Sequence, residues 1–186
     1  MIELFEKYVD WKILAHFLEQ PTRSFYVKEL ARILEVSPGS VSSALKRFKE
    51  WGLVEKEEKG QTHLYKLNNE LVIIKELKTA FMLIQLQEIG FVDQLLKIDD
   101  NIISIALYGS YATGEYDEKS DLDVLLIAPS KLELNKFIEH IEKKLKRAVS
   151  IEVFSIGQWN KLKEREDPFY SNVMMNHILL YGSELI

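Results

Sequence analysis

The sequence predicts an α+β chain in two parts. A mainly helical N-terminal module ending in a β-hairpin is expected over residues 1–69, and a C-terminal α/β domain with a small mixed sheet over residues 99–186. A long connecting helix over residues 70–98 joins them. Three observations carry this reading. Apolar residues recur at helical spacing through the first fifty positions, two strand-length runs then flank a turn signal, and beyond Asn101 short apolar runs alternate with an amphipathic helix.

In the first module, Val9, Ile13, Leu14, Phe17 and Leu18 share one side of a helix over residues 9–19, which Pro21 stops. A second helix is expected over residues 26–34, with Val27, Leu30, Ala31 and Leu34 inward. Glu35-Val36 makes the turn, Ser37 is a good N-cap, and Pro38 takes the favoured first helical position. The third helix runs to Trp51 with Val41, Ala44, Leu45 and Phe48 inward, and Gly52 supplies a left-handed cap. Residues 53–58 and 62–67 read as strands around a Lys59-Gly60-Gln61 turn.

Residues 70–98 read as one long helix, or two broken near Gly90. Leu71, Ile74, Leu77, Phe81 and Ile84 form one apolar stripe, and Ile73, Ala80, Leu83 and Leu86 form another. A helix apolar on several sides is buried on several sides, so it is expected to pack against both domains or against a second copy in a homodimer. Asp99-Asp100-Asn101 is a break. Residues 102–108, 122–128 and 149–154 then read as strands, and residues 132–148, 156–166 and 168–181 as helices.

The chain is 186 residues long and 47% hydrophobic, enough for one medium domain or two small ones. It has no cysteine, which excludes a disulfide framework and a thiolate zinc site. The N-terminus mixes acids and lysines with its apolar residues, unlike a signal peptide, and no apolar run approaches the roughly 20 residues that span a bilayer. An intracellular, cytoplasmic protein without membrane association is expected. The net charge is −5, yet residues 1–70 hold 11 basic and 11 acidic side chains, so the deficit lies wholly in the second part. Any basic surface is therefore local to the first module.

The chemistry-bearing stretch runs from Leu107 to Leu125 and reads LYGSYATGEYDEKSDLDVL. A strand ends in Gly109-Ser110 and a helix is expected to start there, offering backbone N–H groups and the positive end of a helix dipole. Gly109 allows a phosphate close to the backbone, and the Ser110 hydroxyl can hydrogen-bond phosphate oxygens. Asp121 and Asp123, two apart on a strand, point to one face. Two carboxylates side by side in an apolar stretch repel each other unless a cation sits between them, and Mg²⁺ favours a few carboxylates plus phosphate oxygens. Glu152, between Ile151 and Val153 on the third strand, is the candidate for a third carboxylate in a two-metal clamp.

Gly-Ser, a spacer of about ten residues, Asp-x-Asp and a later strand-borne acid together resemble the minimal nucleotidyltransferase branch of the DNA polymerase β superfamily over residues 100–155. Ser120 before Asp121 also matches. The resemblance implies that Gly109, Ser110 and Ser120 contact the nucleotide. It implies that Asp121 and Asp123 bind Mg²⁺ or Mn²⁺, and that Glu152 binds the nucleophile-side metal and helps deprotonate an attacking hydroxyl. Thr113 stands where many relatives carry Arg, and Glu152 where Asp is commoner. The implied activity is transfer of NMP, first of all AMP from ATP, to a hydroxyl of a protein, an RNA end or a small molecule.

The helix, second helix, turn, third helix and hairpin of residues 9–68 resemble a winged helix-turn-helix. The resemblance implies double-stranded DNA as a partner, with the third helix reading the major groove. Ser40, Ser42, Ser43, Lys46 and Arg47 lie off its apolar stripe and are the expected DNA contacts, with Lys59 and His63 on the wing. Glu55, Glu57 and Glu58 on that wing would repel phosphate, and such modules also bind proteins. The competing reading of the whole chain is a DNA-binding regulator whose second domain senses nucleotide without turnover. The four histidines share no metal-ligand spacing, and Tyr170, Val173, Met174, His177, Ile178 and Tyr181 read as a helical core stripe.

Overall fold

The computed structural model describes residues 3, 7–59, 62–129 and 132–185. It is an α+β chain of two compact units, divided between Ile84 and Gln85, and each unit is treated by itself. The expected wing turn at Gly60-Gln61 and the Lys59 side chain lie outside the described residues.

The first unit begins with α1 (Val9–Glu19), a two-residue strand β1 (Phe25–Tyr26), α2 (Val27–Leu34) and α3 (Pro38–Glu50). A hairpin of β2 (Val54–Lys59) and β3 (Thr62–Leu67) follows. The helical periodicity places Ile13, Leu14, Phe17, Leu30, Leu34, Val41, Leu45 and Phe48 in one core with Phe25, Val54 and Leu67. Ser37 caps α3 as expected, its hydroxyl accepting from Ser40 N at 3.0 Å. Sequence periodicity missed β1, because two residues are too short to show a period. Pairing of Phe25 with Tyr65 and Tyr26 with Leu64 makes the hairpin a three-stranded sheet, and the second helix starts one residue later than expected.

Residues 70–98 form two helices, α4 (Val72–Glu88) and α5 (Phe91–Leu96), parted at Gly90. The division between the two units falls inside α4.

In the second unit, β4 (Ser104–Tyr108), β5 (Leu122–Ile127), β6 (Val149–Phe154) and β7 (Ile178–Gly182) form a mixed sheet in the order β6-β5-β4-β7. β5 and β6 are parallel and the other pairs antiparallel. The parallel pair is joined by α7 (Asn135–Leu145), which packs along β6, while a single turn, α6 (Ser110–Thr113), follows β4. α8 (Ile156–Glu164) and α9 (Pro168–Met175) cover the face bearing Ala106, Tyr108, Leu125 and Ile127 through Trp159 and Val173. Ile105, Leu107, Leu122, Val124 and Leu126 are buried on the opposite face, which is why β4 and β5 read as near-continuous apolar runs.

The expectation of one helix over residues 168–181 is overturned. α9 ends at Met175, and the Ile178-Leu179-Leu180-Tyr181 run becomes an edge strand on β4. A short apolar run fits either period, and here the open edge of β4 decides. Gly182 closes this strand at φ +86°, with Ile103 O only 1.9 Å from where a Cβ would stand.

His16 is 9% exposed on α1, its Nε2 has no hydrogen-bond partner, and its ring lies 4.9 Å from that of Phe25. Burial, with Arg23 nearby, pushes its pKa below the usual value. The unfolded chain takes up that proton near pH 6.5 and the folded chain only at lower pH. The stability tied to neutral His16 is therefore full above about pH 6.5 and is lost as pH falls below it. We expect thermal melts of His16→Phe to show a shallower loss of stability between about pH 7 and 5 than the parent chain.

Candidate functional site

Strand β4 is buried along its whole length and delivers its end, Tyr108, beside Asp123 of β5. The next residue, Gly109, turns the chain at φ 68° and ψ −152°, a region open to glycine almost alone. A Cβ there would also lie 2.5 Å from Asp123 Oδ2. Two independent constraints thus require glycine, the backbone conformation and the carboxylate that fills the room of a side chain. Ser110 follows, half-buried. The helix expected at this corner is only the four residues of α6, too short to supply the macrodipole that the sequence suggested.

Asp121 is exposed just ahead of β5, and Asp123 is half-buried within it. Burial, and then the negative charge of Asp121, push the Asp123 carboxyl above the usual aspartate range. Tyr108 feels the same field: burial first, then Asp123 and Glu152, push its phenol up to about 12. Glu152 therefore lies on the aspartate face, as its register also requires, since it pairs with Leu125 while Asp123 pairs with Ser150. The expected three-carboxylate cluster is nevertheless not assembled. Glu152 is exposed on the edge strand, one side-chain row beyond Asp123, and among the described residues no group of three His, Cys, Asp or Glu could hold a metal ion.

The loop before Asp121 is built on Asp117. Its carboxylate accepts from Lys119 N at 2.8 Å and from the Ser120 hydroxyl at 3.0 Å, which lowers its pKa. Ser120 Oγ in turn accepts from Asp117 N at 3.0 Å. Ser120, expected to touch nucleotide, instead engages its hydroxyl inside the loop. Periodicity and motif spacing give no sign of Arg147, the last residue of the basic run Lys143-Lys144-Lys146-Arg147. Its guanidinium donates to Asp117 O at 2.9 Å and lies 5.8 and 5.7 Å from the ring centroids of Tyr111 and Tyr116. Its facing loop, GEYDEKSD, is acidic, and that charge complementarity was the available signal.

In the first unit, Ser40, Ser42, Ser43 and Lys46 are exposed along α3, although Ser40 Oγ also meets Ser37 Oγ at 2.8 Å. Arg47 departs from expectation. It forks onto Asp10 of α1, with Nε at 3.0 Å and NH2 at 2.6 Å, because α1 crosses the base of α3 there. That pairing ties two helices together and leaves Arg47 less open than Lys46. On the wing, His63 is exposed, and Glu58 is hydrogen-bonded by Lys56 at 3.0 Å.

Residues 89–180 match the family model described as a nucleotidyltransferase domain, and residues 7–62 match the model of the MarR family. A chain of Methanocaldococcus jannaschii, whose name marks it as a proposed protein adenylyltransferase, is 33% identical over 86 residues. The match covers 45% of this chain and 59% of that one, so the chain spans less than two thirds of the relative's length. A solved chain described as a possible transcriptional regulator from Methanosarcina mazei is 17% identical at a TM-score of 0.34, covering 54% of this chain and 86% of its own. A toxin-antitoxin crystal structure with AMP-PNP is 19% identical at a TM-score of 0.35, covering 50% and 72%. No described helix is long and apolar enough to cross a membrane.

Two outcomes are expected of this corner. Gly109→Ala destabilises the chain by about 1–3 kcal/mol in denaturant melts, because the new methyl meets the Asp123 carboxylate in a backbone conformation closed to alanine. Asp123→Asn melts higher than the parent at pH 7 without added cation. The charge it removes is unfavourable above the raised pKa, and the gain vanishes as pH falls below the unfolded-state value of about 3.9.

Proposed function

We propose, from the match of residues 89–180 to the nucleotidyltransferase domain and of residues 7–62 to the MarR family, that the chain transfers a nucleoside monophosphate to a hydroxyl in a divalent-metal-dependent reaction. The supporting observation is the pair Asp121 and Asp123 beside Gly109. One carboxyl there is pushed up by burial and by its neighbour's charge, a local excess of negative potential that a divalent cation offsets. Two carboxylates completed by substrate phosphate oxygens are an ordinary donor set for Mg²⁺ or Mn²⁺. Asp121 and Asp123 would hold the ion, whose chemistry is to polarise phosphoryl oxygens and offset developing charge.

The backbone at Gly109 and the Ser110 hydroxyl cradle the polyphosphate. Glu152, on the same face and open to solvent, accepts the proton of the acceptor hydroxyl. That oxygen bonds to the α-phosphorus, the bond to the bridging oxygen breaks, and pyrophosphate leaves. Position 113 is Thr, so no arginine reaches the phosphates from there. The relative's name favours ATP as donor and a protein side chain as acceptor. Double-stranded DNA is the proposed partner of α3, through Ser42, Ser43 and Lys46, and the cytoplasm is the proposed site of action. Val72 and Ile73, 72% and 54% exposed at the start of α4, support a homodimer through residues 70–98.

A second reading, a regulator that senses nucleotide without turnover, is favoured by the outlying position of Glu152. Labelled ATP, Mg²⁺ and candidate acceptor proteins separate the two. Transfer of label that drops by about 10³-fold or more in Asp121→Ala supports the enzyme. ATP retained in equilibrium dialysis, with no label transferred to any acceptor, supports the sensor and sinks the enzyme.

A further inference from the structure

We propose that Arg147 is a positioning residue that sets Asp121 in place for metal binding, an inference that rests on the metal-dependent reading above. Arg147 lies in the connection from α7 to β6, far in sequence from the aspartates. Lys146, at φ 55°, turns the chain back at the end of α7. The neighbouring Ala148 O accepts from Leu122 N at 2.9 Å, so Arg147 sits at the common base of β5 and β6. From there its guanidinium grips the loop that delivers Asp121. It donates to Asp117 O at 2.9 Å and lies near the Tyr111 and Tyr116 rings, which stack on each other at 4.1 Å and 13°.

Every anchor of this loop leads toward Asp121. Tyr111 follows the Gly109-Ser110 corner directly and its hydroxyl donates to Ser120 O at 3.5 Å, while Tyr116 and Asp117 start the turn that Ser120 closes. Residue 121 comes next. One side chain thereby links the phosphate corner, the aspartate loop and the strand that carries Glu152. A planar guanidinium suits this position because it can present its face to aromatic rings and donate in its own plane at once, which a lysine ammonium cannot. An exposed Asp121 facing a half-buried, like-charged Asp123 would otherwise swing away from it. Arg147 holds the loop against that repulsion until a cation arrives.

The test uses the full chain and a readout independent of transfer. Mn²⁺ binding, without nucleotide because polyphosphate itself chelates Mn²⁺, is followed by the loss of the free Mn²⁺ paramagnetic resonance signal, for the parent, Arg147→Ala and Arg147→Lys. We expect Arg147→Ala to weaken Mn²⁺ binding by about tenfold or more, and added guanidinium ion to restore part of it. Arg147→Lys, which keeps the charge and guards against a misfolded alanine variant, is expected to weaken binding severalfold and to speed amide exchange at residues 115–120. A parent that binds Mn²⁺ while either variant binds it equally well, whatever their melting temperatures, overturns the positioning role alone. A parent that binds no Mn²⁺ overturns the metal site first and this inference with it.

Discussion

The second unit depends on one close approach: the Asp123 carboxylate lies against the α-carbon of Gly109, where no side chain could stand. That contact requires β4 and β5 to pair in the register that sets Tyr108 beside Asp123. The register in turn requires both strands to bury the faces they do. A slip of one residue would turn Asp123 into the apolar layer and Val124 out of it. The proposed phosphate corner and the proposed cation ligand are therefore one structural solution.

That solution works against the stability of the chain. Asp123 is half-buried near a like charge, and Tyr108 lies beneath both it and Glu152. Nothing in packing calls for two acids at this place; a sheet of these apolar strands would fold better with asparagine or serine there. Unfavourable charge of this kind, set beside a glycine corner, is a frequent mark of a functional site.

Much of this was legible in the sequence. The bounds of α1, β3 and β6, the Ser37 cap and the break at Gly90 follow from period and turn chemistry, which are local. The Gly109, Asp121 and Asp123 grouping was legible because motif spacing encodes strand register. What escaped the sequence was pairing at a distance. β1 exists only because β3 offers it an edge, and residues 178–182 are a strand only because β4 does. The pairing of Arg47 with Asp10, 37 residues away, is of the same kind. The Arg147 contact with Asp117 joins residues thirty apart, which no local pattern encodes. Glu152 lies on the face that alternation implies, but its offset of one row from Asp123 is a distance that alternation alone does not reveal.

The tail of the sheet carries a less obvious liability. Gly182 is solvent-exposed, the kind of surface position at which substitutions are usually tolerated. Yet the carbonyl of Ile103 occupies the room of its missing methyl. Any larger residue there would pry β7 off the outer edge of β4, the strand whose far end fixes the glycine corner. The intolerance of position 182 to a side chain is therefore purely mechanical.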